Sequence, residues 1–226
     1  MSARVFLLVA ALAAYSTVGA AQTGGDPTNR LAGRVPPAAL PAIDSLIAAA
    51  VAESLPTEPL VQKALEGSAK GVPTDRLVNG VRRGLLQLRE ARVIVGRAVP
   101  GQPPQESHVA AVSAALARGL DPAIVERLLT AAPDEAPGPA LHAAADLVAH
   151  RFNPDSATDL LVEAHNKGLH GMRLLDVAVA ADHELQRAGG RTHADALARV
   201  RALLPNVPAP SAELPRAVTR RGTKGS

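Results

Sequence analysis

Apolar residues recur every three or four positions along most of this chain, which is the spacing of amphipathic helices. The longest stripe contains Leu77, Val81, Leu85, Leu88 and Val95 and predicts one long helix. No segment alternates apolar and polar residues as a half-buried strand would. The stripes and their flanking glycines and prolines predict nine helices: Pro41–Ser54, Thr57–Lys70, Thr74–Ala98, Gln105–Arg118, Pro122–Ala132, Ala140–Phe152, Pro154–Lys167, Gly171–Ala188 and Thr192–Leu204.

A proline-centred phrase occurs twice at predicted helix starts. Leu55–Val61 and Val72–Val78, 17 residues later, both run apolar residue, proline, threonine, acid and then an aliphatic pair. Each threonine is expected to be an N-cap, with the acid in the first helical turn. Looser copies occur at Leu120–Val125 and Phe152–Pro154. Short helices restarted in this way should pair as hairpins, so we predict an all-α fold, either an α-solenoid-like stack or an irregular orthogonal bundle.

The ends of the chain differ in composition from its middle. Residues 1–21 resemble a signal peptide, because Arg4 precedes the apolar segment Val5–Tyr15 and small residues precede a cleavage site near Ala20/Ala21. An uncleaved N-terminal anchor is the alternative. We predict a flexible spacer over 22–37, a helical domain over 38–204 with a candidate sub-boundary at 99–104, and a disordered basic tail over 205–226. The mature protein is expected to be periplasmic or extracellular.

Composition narrows the function further. The chain has no cysteine, so neither disulfides nor a lipoprotein anchor are available. After removal of the signal peptide, Phe152 is the only aromatic residue, which excludes stacking platforms for sugars or single-stranded nucleic acid. The net charge of +3 lies in the tail, because residues from Glu213 onward carry +3 and Arg4 carries a further +1. The rest is therefore slightly acidic, and nucleic acid is not an expected partner.

One segment carries a resemblance to known sequences. Leu65–Pro73, with the order Leu-Glu-Gly-Ser-Ala-Lys-Gly-Val-Pro, resembles a phrase that recurs in uncharacterised exported bacterial proteins. The resemblance extends over about Leu55–Leu88. It implies an exported helical bacterial protein and brings with it neither an activity nor a ligand.

Metal-binding residue types cluster in the C-terminal third. His142, Asp146 and His150 follow one another at intervals of four, which places them on one helix face. Imidazoles and a carboxylate suit zinc or another divalent transition metal. The same residues also fit a solvated stripe, and histidines eight apart on a straight helix are about 12 Å apart. His165, His170, His183 and His193 add to this histidine-rich region.

An arginine-rich face is predicted on the longest helix. Arg82, Arg89 and Arg92 line up along it and could contact an anionic envelope polymer, lipid headgroups or an acidic protein. An ordinary solvated face is the alternative.

Catalytic patterns are weak. A Ser68–Lys70 dyad and an Asp159–Glu163 carboxylate pair are conceivable, but capping and surface charge explain both. The sequence therefore favours a non-catalytic binding or scaffold protein of the cell envelope, without a cofactor. The alternative is a metal-binding protein or metal-dependent enzyme that uses the C-terminal histidines.

Overall fold

The computed structural model describes residues 27–187 and 192–204, and these residues contain ten α-helices and no strand. The all-α prediction is confirmed. The predicted signal peptide, the predicted tail, residues 22–26 and 188–191 lie outside the described residues. The helices are α1 Pro27–Leu31, α2 Leu40–Ala52, α3 Glu58–Ala69, α4 Thr74–Ala98, α5 Glu106–Ala117, α6 Pro122–Ala131, α7 Gly138–Ala149, α8 Pro154–Asn166, α9 Arg173–Gln186 and α10 His193–Leu203.

The helices form two layers. Among the described helices, every pair in extensive contact is one or two places apart in chain order. The even-numbered helices from α2 to α10 each contact the next even-numbered one, while α1 contacts α3, α5 contacts α7 and α7 contacts α9. This is the pattern of an α-solenoid-like stack. Between α3 and α5 the odd layer lacks such contact, although both helices pack on α4.

A continuous aliphatic core lies between the layers and extends from Leu31 to Leu204. It is built almost entirely from Leu, Val, Ile and Ala, with Phe152 buried to 2% exposure. The Phe152 and His193 rings meet in a T-shaped arrangement, with centroids 4.9 Å apart, which ties the segment before α8 to α10. The core also continues across 99–104, where α4 and α5 pack closely. No described helix has both the length and the apolar character needed to cross a membrane.

The predicted flexible spacer is partly structured. Within it, α1 precedes a turn, and Leu31 and Val35 are 0% and 4% exposed. Arg30 pairs with Glu58, and the Ser68 hydroxyl donates to the Arg34 carbonyl oxygen at 2.6 Å. The part of the predicted spacer that the structure describes, residues 27–37, is thus joined to α3 by contacts of Arg30 and Arg34.

Helix starts fall where the repeated phrase predicts, but the threonines do not cap them. Thr57 precedes α3 in a helical conformation with no side-chain capping bond, and Thr74 is already inside α4. An N-cap side chain reaches the helix amides from an extended backbone, which Thr57 lacks. Asp121 and Asn153 do have extended backbones, and their side chains accept from the amides of Ala123 and Ser156. The looser copies of the phrase therefore contain the capping residues.

The α3–α4 hairpin depends on two glycines at close helix contacts. A Cβ on Gly67 would lie 2.5 Å from Leu77 Cδ1, and one on Gly84 would lie 3.1 Å from Leu60 Cδ2. At both distances, the neighbouring leucine would have to move to make room for the added methyl group. Gly67 lies in the segment Leu65–Pro73, so one part of that phrase has a packing explanation.

Candidate functional site

The three residues predicted as metal ligands are divided between two places: His142 and Asp146 lie together, and His150 lies beside Asp182. His142 Nε2 is 3.4 Å from Asp146 Oδ2, and Arg118 contacts both residues. His150 follows the last residue of α7, and its Nδ1 is 2.9 Å from Asp182 Oδ1 on α9. The structure therefore does not bring His142, Asp146 and His150 to one point. Their role in metal binding stays a prediction, without convergent geometry to support it.

The predicted anion-binding arginines are largely engaged within the protein. Arg89 donates to both carboxylate oxygens of Glu53, and Arg92 donates to the Glu53 backbone carbonyl at 2.6 Å. The hydrogen bond from Arg89 lowers the pKa of the Glu53 carboxyl from its ordinary value. Arg82 lies apart from this cluster and donates to Asn79 at 2.6 Å. Arg89 and Arg92 thus join α4 to the end of α2, and their role toward an external anion stays a prediction.

The candidate catalytic pairs are also occupied by structural contacts. Lys70 pairs with Glu66, one turn away, while Ser68 donates to Arg34. Asp159 pairs with Arg127 of α6. Glu163 contacts Lys167 at 2.9 Å and Arg201 at 2.6 Å, and these hydrogen bonds lower the pKa of its carboxyl. A carboxyl that is held ionised is a poor proton donor, so this arrangement favours a structural role for Glu163.

A different set of metal-ligand types does converge. Glu135 comes from the α6–α7 loop, His165 from the last turn of α8 and His170 from the α8–α9 loop. One ligand atom of each lies within 4.8 Å of those of the other two. His170 Nδ1 is 2.5 Å from Glu135 Oε1, and His165 Nδ1 is 3.7 Å from Glu135 Oε2. The two imidazole rings meet edge to face, with centroids 4.8 Å apart.

This cluster lies at the edge of a small apolar cavity between α6, α7 and α8. The cavity has a volume of about 20 Å³, and Glu135 and His165 line it together with Leu128, Leu161 and Leu174. The side chain of His165 is 17% exposed, and its Nδ1 is buried without a hydrogen-bond partner. Buried polar atoms normally have a partner. Contacts within the described residues therefore do not account for the buried Nδ1 of His165.

Two surface grooves flank α5. The α3/α5 groove is floored by Gly84 and Gln87 of α4 and walled by Lys63, Glu66, Ala110 and Ser113. The α5/α7 groove lies between Ala111, Arg118, Leu141 and His142. Each has a volume of about 220 Å³, and the exposed Ala114 lines both. The short side chains of α5 thus separate two adjacent depressions on one face.

The converging cluster was not predicted from the sequence, although His165 and His170 belong to the histidine-rich region. The metal prediction relied on spacing within one helix, whereas this site joins a helix end to two loops. The turn at Gly168, with φ of +91°, brings His170 back beside His165. Glu135 lies thirty positions before His165, in the α6–α7 loop, and helical periodicity does not connect such residues.

Comparison of the chain with protein-family models, with curated proteins and with solved structures finds no match.

Proposed function

We propose that this chain is an exported, non-catalytic binding protein of the cell envelope, and that the grooves beside α5 receive a helical segment of another protein. Export is supported by the N-terminal sequence pattern, with its basic residue, apolar segment and small residues before Ala20/Ala21. The observation that carries the binding function is the gap in the odd layer, where α3 and α5 leave part of α4 accessible between them.

The lining of the grooves favours a protein helix as the partner. Ala110, Ser113, Ala114 and Ala117 present short side chains along successive turns of α5. Short side chains allow two helix backbones to approach closely, and Gly84 of α4 also lines the α3/α5 groove. Residues around the grooves carry both signs of charge.

This mixture of charge favours a protein partner over a uniformly anionic surface. Lys63 and Glu66 line the α3/α5 groove, whereas Arg118 lines the other groove and pairs with Asp146. An anionic polymer or lipid surface attracts a patch of uniform positive charge. A helix with small residues on one face and charges of both signs beside them would complement the grooves.

To test the proposal, a photo-crosslinking amino acid is introduced at Ala117 of the full chain, in cells that produce the protein. The same amino acid at the exposed Ala48 of α2 is the positional control. We expect crosslinks to a protein from Ala117 and not from Ala48. Ala114→Arg should abolish them by filling both grooves, whereas Ala48→Arg should leave them intact.

Equal crosslinking from both positions, or crosslinks that survive Ala114→Arg, would refute the groove. If the chain binds anionic lipid vesicles and Ala114→Arg does not change that binding, the functional contact lies on another surface. This result would also refute the groove as the binding site. Cell fractionation tests export in parallel, and retention of the chain in the cytoplasm would contradict that part of the proposal.

A further inference from the structure

We propose that Glu135, His165 and His170 together bind one divalent transition-metal ion, with Zn²⁺ as the best-fitting ion. Two imidazole nitrogens and a carboxylate oxygen form a donor set that suits zinc. The inference is independent of the grooves, because none of these three residues lines either one. It also differs from the sequence-based prediction, which placed the metal at His142, Asp146 and His150.

The cluster contains one pair at hydrogen-bond distance and one pair near the spacing of two ligands on a shared ion. His170 Nδ1 and Glu135 Oε1 are the first pair, 2.5 Å apart. Glu135 Oε2 and His165 Nδ1 are 3.7 Å apart, which is too long for a hydrogen bond. Two ligands bound at 2.0–2.2 Å to a tetrahedral ion are separated by about 3.4 Å. Binding would require the largest separation of 4.8 Å to close by about 1.4 Å and the 2.5 Å separation of Glu135 and His170 to open by about 0.9 Å.

The placement of the ligands makes that closure feasible. Glu135 and His170 lie in loops, with side chains that are 30% and 51% exposed, so both can rotate without disturbing the core. His165 is held by the last turn of α8 and supplies the fixed ligand. The site is thus one anchored imidazole with two adjustable ligands beside it.

The buried nitrogen of His165 is the second observation that points to a ligand. Its Nδ1 has no hydrogen-bond partner and is shielded from solvent. Apart from Glu135 and His165, the neighbouring cavity of about 20 Å³ is lined by residues with apolar side chains. A metal ion would satisfy this nitrogen and neutralise part of the charge on Glu135.

A bound ion would connect the α6–α7 loop to the α8–α9 loop. Three protein ligands also leave a fourth position for water or an outside ligand. Because the ligands come from separate segments that meet only in the fold, Zn²⁺ should bind the native state preferentially and stabilise it. Zinc should therefore raise the thermal unfolding midpoint.

The test is a titration of the untagged full chain with ZnCl₂, followed by calorimetry and by thermal unfolding. We expect one equivalent of Zn²⁺ and a raised unfolding midpoint. His170→Asn and Glu135→Gln should each weaken binding at least about tenfold, since even residues that only support a ligand have effects of that size. Both residues are accessible enough for the variants to fold, which the metal-free unfolding midpoint will verify.

His150→Asn is the matched control, because His150 also pairs with a carboxylate but lies outside the cluster. It should bind Zn²⁺ as the wild type does. Absence of saturable one-to-one binding would overturn the proposal. So would loss of binding in His150→Asn with retention in His170→Asn, a result that would assign the metal to the residues predicted from helical spacing.

Discussion

Arg89 on α4 donates two hydrogen bonds to Glu53 at the end of α2, from Nε to Oε2 at 2.9 Å and from Nη2 to Oε1 at 2.6 Å. Arg92 adds a bond to the backbone carbonyl of the same glutamate. The arginine-rich face predicted on α4 is thus partly engaged in contacts within the protein. Arg89 lies on α4 and Glu53 at the end of α2, so the two residues meet only when the chain is folded.

Glu53→Gln should lower the midpoint of thermal unfolding at pH 7, because glutamine keeps the size of the side chain but removes its charge. The change should be small, as expected for a partly exposed pair. Glu90→Gln, an exposed position on the same helix as Arg89, is the control and should have less effect. Equal effects of the two changes would show that the Arg89 pair contributes nothing specific.

The contribution of Glu53 should depend on pH in a defined direction. Arg89 lowers the pKa of the folded-state carboxyl, so its stabilising contribution is complete above the ordinary glutamate pKa of about 4.3. It is lost as the pH falls through the lowered folded-state pKa. The stability difference between wild type and Glu53→Gln should therefore shrink on acidification, as measured by urea unfolding at several pH values. A difference that grows in acid would contradict this pairing.

Gly67→Ala should destabilise the protein despite the higher helix propensity of alanine. The new methyl group would meet Leu77 Cδ1 at 2.5 Å, and overpacking of this kind costs about 1–3 kcal/mol. Gly96→Ala is the matched control, since Gly96 is exposed on α4 and its nearest contact is 3.8 Å away. The control should stabilise by up to about 1 kcal/mol. Urea unfolding of both variants measures the contrast, and stabilisation by Gly67→Ala would contradict the overpacking.

Phe152→Ala should cost about 3–5 kcal/mol, because it removes a ring that is 2% exposed. Phe152→Leu retains much of the volume and should cost less. Chemical denaturation gives both values. A loss below about 1 kcal/mol for the alanine variant would mean that the region around Phe152 and His193 collapses without penalty.

The positions of most of the helices could be predicted from the sequence, because they depend on residues close together in the chain. The stripe from Leu77 to Val95 identified α4, and the predicted bounds Thr74–Ala98 agree with the structure. The cap at Thr57 failed because a side-chain cap depends on the backbone conformation of that residue, which composition does not determine. Residues 22–37 were predicted to be a spacer from their polar composition, Gly24-Gly25 and Pro27, and this composition does not indicate that Leu31 and Val35 are buried.

The candidate site was less predictable for a geometric reason. Helical spacing placed His142, Asp146 and His150 on one face, but neighbouring helices redirected them toward Arg118 and Asp182. Glu135 approaches His165 only because α6, α7 and α8 pack around one cavity. Such proximity follows from the tertiary arrangement, which a single sequence does not reveal by periodicity.

The layered arrangement has a consequence for how the chain acquires its structure. Since each described helix mainly contacts helices one or two places away, we expect a low contact order for the described residues. Native contacts then form by closing short loops, so the entropic barrier is small and folding should be fast. A chain that emerges gradually, as it does during synthesis, could build its core progressively before its last helix is available.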